Sequence, residues 1–148
     1  MTTAHHTRSE FDPADVLRAN GLRVTGPRLA VYTALHALPH ATADDVTTHV
    51  RDRLGSVSQQ AVYDVLAALE GVGLVRRIEP AGHPARFESR VADNHHHVVC
   101  RSCGRIDDVD CAVGDAPCLD AGTATGYVLD EAEVTFWGLC PDCTAATR

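Results

Sequence analysis

The sequence predicts an α+β chain: an N-terminal winged helix-turn-helix followed by a small α/β domain with zinc knuckles. Three observations carry this. Apolar residues recur at helical spacing between capping residues over the first seventy or so positions. Two extended pieces then flank a Pro- and Gly-rich turn. Beyond them lie two C-x-x-C pairs and a run of three histidines.

A chain of 148 residues suits one domain or two small ones. Charge divides it. All thirteen basic residues are arginine, and ten of them face ten acids in residues 1–90. Residues 91–148 carry three arginines against ten acids. We therefore place a domain boundary at Arg90, giving 1–90 and 91–148, with "SRVADN" as the hinge.

The first half reads as four helices and a hairpin. In "DPADVLRANGLRVTGPRLAVYTALHAL", Asp12 or Asp15 caps the first helix and Gly21 ends it. Thr25 is the expected N-cap of the second, with Pro27 in its first turn. Thr42 and Asp45 have capping-box spacing at the start of a third helix, "TADDVTTHVRDRL". Ser56 and Gln59 have the same spacing ahead of a fourth, whose Val62, Val65, Leu66 and Leu69 form one apolar face. Gln59, Gln60, Tyr63 and Asp64 point elsewhere. "LVRRIEPAGHPARFES" supplies the wing.

Such a shape fits the major groove of B-DNA. Side chains early on the fourth helix reach base edges, with glutamines suited to adenine and a tyrosine ring to the thymine methyl group. Arg76, Arg77, Arg86 and Arg90 cluster around the wing, and Arg23 and Arg28 flank the second helix, where phosphate contacts are expected. The acidic second half has to stay clear of the duplex.

No apolar run approaches the roughly 20 residues that cross a bilayer. The opening "MTTAHHTRSEF" lacks a secretory apolar core, so a soluble cytoplasmic protein is expected, with no membrane partner. In a reducing compartment, paired C-x-x-C knuckles favour metal binding over structural disulfides. Cys100, Cys103, Cys140 and Cys143 can together offer zinc four thiolates. Cys111 and Cys118 are left as ordinary thiols or as a redox pair.

"HHHVVC" alternates as a strand, so His95 and His97 face one side and His96 the other. Two imidazoles on one face make half of a second metal site. Its remaining ligands have to come from elsewhere, and the candidates are His40, Glu88, and Asp107 or Asp108. Nitrogen and oxygen donors suit Fe²⁺, Mn²⁺ or Zn²⁺ better than copper(I).

"GLRVTGPRLAVYTAL", "HATADDV", "VSQQAVYDVLAALEGVGLVRRI", "RFES…NHHHVVCRSCGRI" and "WGLCPDC" follow one another as in the ferric uptake regulator (Fur) family, which the chain resembles over about residues 12–143. "NHHHVVCRSCGRIDDVDC" and "LDEAEVTFWGLCPDC" resemble its actinobacterial FurA subgroup, repressors of a catalase-peroxidase gene. The resemblance implies a homodimeric, metal-dependent repressor that binds double-stranded DNA, with a C-terminal dimerisation domain. It implies structural Zn²⁺ on Cys100, Cys103, Cys140 and Cys143, and regulatory Fe²⁺ or Mn²⁺ on His40, Glu88, His95 and His97, with Asp108 as a further ligand. Tyr63 matches a base-contacting tyrosine and Arg23 a minor-groove contact. Asp64 stands where many members carry arginine, and Ala132 where a further metal site has histidine.

The expected function is repression at an inverted-repeat operator controlling oxidative-stress or iron-homeostasis genes. A zinc- or nickel-sensing repressor of the same family is the alternative. A metal-storage or delivery protein fits less well, since it needs neither exposed glutamines on a capped helix nor an arginine wing. A zinc hydrolase lacks its H-E-x-x-H pattern, so neither an enzyme nor a small-molecule substrate is expected.

Overall fold

Asp12 opens the first helix: its Oδ1 accepts the backbone N–H of Ala14 at 2.9 Å, and α1 runs Pro13–Ala19. The computed structural model describes residues 11–111 and 126–148. Thr25 caps α2 (Gly26–Ala37), accepting from the N–H of Arg28. The capping box before α3 (Ala43–Leu54) is complete: Thr42 Oγ1 accepts the Asp45 N–H, and Asp45 Oδ2 accepts the Thr42 N–H. The expected Ser56–Gln59 box does not form. Ser58 caps α4 (Gln59–Gly71) instead, through the Ala61 N–H. Both serines precede the same apolar face, and spacing alone did not choose between them.

α1 to α4 bury one contiguous core. Leu17, Val31, Leu35, Val46, Val50, Val62, Leu66 and Leu69 are essentially solvent-free. Each such aliphatic side chain contributes about 1.5–3 kcal/mol by leaving water. β1 (Ala41–Thr42), β2 (Arg76–Ile78) and β3 (Arg86–Glu88) form an antiparallel sheet ordered β1-β3-β2, and its Phe87 closes this core.

β4 (His95–Cys100) is central in a second sheet, antiparallel to β5 (Ile106–Asp110) and parallel to β6 (Thr135–Gly138). α5 (Pro141–Ala146) follows. Its core, among the described residues, is Ile78, Val99 and Ile106 with Trp137 against them. Ile78 belongs to β2, so the wing packs into the second core. Among the described residues, no helix is long and apolar enough to cross a membrane.

Candidate metal centres

The two knuckles meet. Cys100 ends β4, and Gly104, at φ +74°, turns the chain so that its N–H reaches the Cys100 carbonyl at 2.9 Å. Cys140 caps α5 through its Sγ, which accepts the Cys143 N–H. The four sulfurs lie within 4.8 Å of one another, with Cys103 and Cys140 3.8 Å apart. Four thiolates at about 2.3 Å from a tetrahedral zinc are separated by about 3.8 Å, so the donors fit the ion.

Electrostatics point the same way. Backbone N–H groups of Cys103 and Cys140 draw the Cys100 thiol down to about 6, favouring thiolate. Ser102 favours the Cys143 thiolate, but the neighbouring sulfurs of Cys140, Cys103 and Cys100 outweigh it and push Cys143 up to about 12. A bound cation is what would let sulfurs this crowded ionise together.

A second cluster joins the two sheets. His40 lies just before β1, Glu88 ends β3, His95 and His97 share one face of β4, and Asp108 on β5 pairs in register with His97. Three imidazole Nε2 atoms converge on Glu88 Oε2, from His40 at 3.2 Å, His95 at 3.2 Å and His97 at 3.1 Å. Asp108 Oδ1 lies 2.8 Å from His40 Nε2 and 3.6 Å from each of the other two. His40, Glu88, His97 and Asp108 present ligand atoms all within 4.8 Å of one another; His95 lies just outside that mutual set. Donors bonded at about 2.1 Å to one ion stand about 3.0–4.2 Å apart, so His40, Glu88, His97 and Asp108 suit a single divalent cation, with His95 beside them through Glu88 and Asp108. Glu88 is 2% exposed, yet its Oε1 has no hydrogen-bond partner among the described residues. That orphaned buried oxygen is what a metal ligand leaves in the protein.

Backbone geometry supports the cluster. His40 has φ +56°, a left-handed conformation that costs a non-glycine residue about 1–2 kcal/mol. Arg86 holds it there, donating from Nη1 to the His40 carbonyl at 3.0 Å. Burial opposes a charge on Glu88, but hydrogen bonds from His40 and His97 prevail and hold its pKa well below the usual carboxylate range. Burial likewise opposes protonation of His40; hydrogen bonding and charge from Glu88 and Asp108 overcome it and raise its pKa. Asp107, left open by the sequence, faces away and pairs with Arg105 at 2.9 Å.

Gln59, Gln60 and Tyr63 are exposed on α4, off its apolar face. Gln59 meets Asp44 and Gln60 meets Asp64. Arg23 is exposed, and its carbonyl accepts from Arg28. Wing arginines expected to contact phosphate pair with acids in the DNA-free chain. Arg76 pairs with Glu131 at 2.7 Å, Arg77 with Glu79 at 2.6 Å, and Arg90 with three aspartates. A charge count by halves includes these acids but does not say which guanidinium group each one meets. Asp93 is a site residue that the sequence reading missed: its Oδ1 lies 2.6 Å from His95 Nδ1. The D-x-H spacing was the available signal. Cys111 is partly buried, and Cys118 lies outside the described residues.

A winged helix-turn-helix tied by histidines and carboxylates to a zinc-knuckle sheet defines a metal-binding regulator class. The profile described as "Ferric uptake regulator family" matches residues 19–136. The transcriptional regulator FurA of Mycobacterium tuberculosis is 62% identical over 133 residues, covering 90% of each chain. Ferric uptake regulation protein 1 of Mycolicibacterium fortuitum is 60% identical over 127 residues, 86% of this chain and 79% of that one. The structure of the ferric uptake regulator from Pseudomonas aeruginosa with manganese superposes with a TM-score of 0.66 at 26% identity, covering 88% of this chain and 99% of that one. The chain belongs to the ferric uptake regulator family of metal-responsive transcriptional repressors, and its similarity lies with the FurA subgroup.

Proposed function

We propose that the protein is a homodimeric repressor that binds an inverted-repeat DNA operator when Fe²⁺ or Mn²⁺ occupies the centre formed by His40, Glu88, His95, His97 and Asp108. Structural Zn²⁺ sits on Cys100, Cys103, Cys140 and Cys143. Oxidative-stress genes, a catalase-peroxidase gene first among them, or iron-homeostasis genes are the proposed targets. The observation that carries this is the origin of the ligands: His40 and Glu88 precede the boundary we place at Arg90, and His95, His97 and Asp108 follow it.

A divalent ion there would supply two positive charges for these donors to share. The residues do the rest. His40 and Glu88 fix the strand pair β1–β3 that carries the wing, while His95 and His97 fix β4. One relative orientation of the winged helix-turn-helix, the reader, and the second domain is thereby favoured. On an inverted repeat, the two copies of α4 have to stand about 34–36 Å apart, one helical turn of DNA. Ligation stabilises that spacing, and DNA tightens ligation reciprocally. The exposed apolar run Tyr127, Val128 and Leu129 suits a subunit contact.

The test is a gel shift on inverted-repeat DNA from the protein's own promoter, with and without Mn²⁺ or Fe²⁺ added to the zinc-loaded protein. Retardation only with added metal is expected. Equal retardation without it removes the proposal, and retardation with Zn²⁺ or Ni²⁺ alone reassigns the sensed ion.

A further inference from the structure

Arg90 is the most heavily committed side chain at the edge of the histidine centre. Its Nε donates to Asp93 Oδ2 at 2.6 Å, its Nη1 to Asp108 Oδ2 at 3.1 Å, and its Nη2 to Asp110 Oδ1 at 2.9 Å. Two of these carboxylates are used twice. Asp108 turns Oδ2 outward to Arg90 and Oδ1 inward to His40 at 2.8 Å. Asp93 turns Oδ2 to Arg90 and Oδ1 to His95 Nδ1 at 2.6 Å. With the Nδ1 proton donated to Asp93, the lone pair of His95 Nε2 faces the centre. Ala92, left-handed at φ +62°, lies between Arg90 and Asp93 on the stretch of chain that brings both against β4 and β5.

We propose that Arg90 is a positioning residue for the regulatory metal: it aims the Asp108 carboxylate and, through Asp93, the His95 imidazole. An isolated exposed ion pair is worth little. Here one planar guanidinium fork sets three carboxylates at once, and three aspartates this close would otherwise repel one another. Arg90 touches the centre only through Asp93 and Asp108, so its role rests on the regulatory-metal reading above.

The test uses the full-length, zinc-loaded protein as wild type, Arg90→Ala and Arg90→Lys. Mn²⁺ affinity is measured by competition with a chelator, and Co²⁺ bound at the same site is followed by its visible d–d spectrum. Losing an outer partner of metal ligands weakens binding about 10–100-fold. That loss is expected for Arg90→Ala, with an altered Co²⁺ spectrum. Arg90→Lys falls between it and wild type, since lysine keeps the charge without the fork. Zinc content and operator affinity at saturating Mn²⁺ should match wild type. Unchanged Mn²⁺ affinity and Co²⁺ spectra in both variants overturn the positioning role. So does lost operator binding at saturating Mn²⁺ with metal affinity intact, which would make Arg90 a phosphate contact. If wild type itself takes up no Mn²⁺ beyond its zinc, the metal centre fails, and Arg90's role fails with it. Should Arg90→Ala melt before it can be measured, Arg90→Lys alone decides.

Discussion

His40 Nε2 lies 2.8 Å from Asp108 Oδ1, across 68 positions of sequence. The pair joins the segment ahead of α3 to the outer strand of the second sheet. At that distance the imidazole nitrogen and the carboxylate share a proton, and a metal ligated by both would have to displace it. Proton and metal therefore compete for one set of donors.

The competition gives a pH dependence with a definite sign. His40's pKa is raised above 6.5 against the opposition of burial, by Glu88 and Asp108. The stability it gives the metal-free protein is complete below 6.5 and disappears as pH rises through the raised value. Glu88 is depressed below 4.5, so its contribution is complete above 4.5 and lost as pH falls through the lower value. Both are present together between 4.5 and 6.5. Metal ligation needs the imidazole unprotonated. Mn²⁺ affinity should therefore rise with pH through the raised His40 value, while the metal-free protein loses stability over the same interval. Calorimetric titration of Mn²⁺ and thermal melts at several pH values check both signs; an affinity flat from pH 5.5 to 8 contradicts them.

His95→Ala removes one imidazole and leaves the cysteine centre untouched. A metal coupling of about 2.7 kcal/mol corresponds to roughly 100-fold in operator affinity. Much of that enhancement should vanish in the variant at moderate Mn²⁺. Sedimentation should still show wild-type assembly, and zinc content should be unchanged. Full metal-stimulated operator binding by His95→Ala would separate the histidine centre from DNA binding.

Cys100→Ser attacks the second sheet at its anchor. The cluster it supports among the described residues has three buried apolar side chains, Ile78, Val99 and Ile106. A structural zinc site contributes about 10–16 kcal/mol of apparent binding free energy, well above what so small a cluster supplies. The variant should lose zinc and its subunit assembly together, while α1 to α4 keep their helical circular dichroism. A zinc-free dimer of wild-type stability would assign the four sulfurs some other task.

Much of this was legible before any coordinates. Helix caps at Thr25 and Thr42 and the apolar face of α4 follow from local chemistry, because a cap and its N–H lie within a few residues of one another. The His95/His97 face follows from strand periodicity. The cysteine centre was readable because each knuckle is local and only one pairing of the two makes four sulfurs. The rest depends on tertiary approach. Nothing in the sequence says that Arg76 meets Glu131, or that Arg90 meets Asp108 and Asp110, since those partners are 18 or more positions away. The charge of a guanidinium group is legible in the sequence; its acid partner is not. Residue types alone left Asp107 and Asp108 open; the resemblance pointed to Asp108, and the register of β4 against β5 gives the physical reason by fixing which face each acid takes.

Gly104 joins wing and knuckle sterically. A Cβ added there would stand 2.6 Å from His83 Nδ1, and φ is +74°. Gly104→Ala should lower the stability of the zinc-loaded protein by about 1–2 kcal/mol from the backbone alone. His83→Ala in the same chain should relieve only the collision. Thermal melts of the single and double variants separate the two contributions; full rescue by His83→Ala would show that the backbone conformation costs nothing.

Tyr63 and Leu66 are three positions apart on α4 and should behave oppositely. Leu66 is 1% exposed in the reader's core, and leucine-to-alanine changes at such sites cost about 2–5 kcal/mol. Leu66→Ala should lower the melting temperature by many degrees and weaken DNA binding only as the fold is lost. Tyr63 is 46% exposed, at the flank of that core. Tyr63→Ala should leave melting within about 0.5 kcal/mol of wild type, the usual range for surface changes. Its operator affinity should nevertheless fall by about 1–3 kcal/mol, the size of one lost base contact. Affinity for unrelated duplex, which depends on phosphate, should stay the same. If Tyr63→Ala binds operator and unrelated DNA as wild type does, α4 is not the helix that reads the groove.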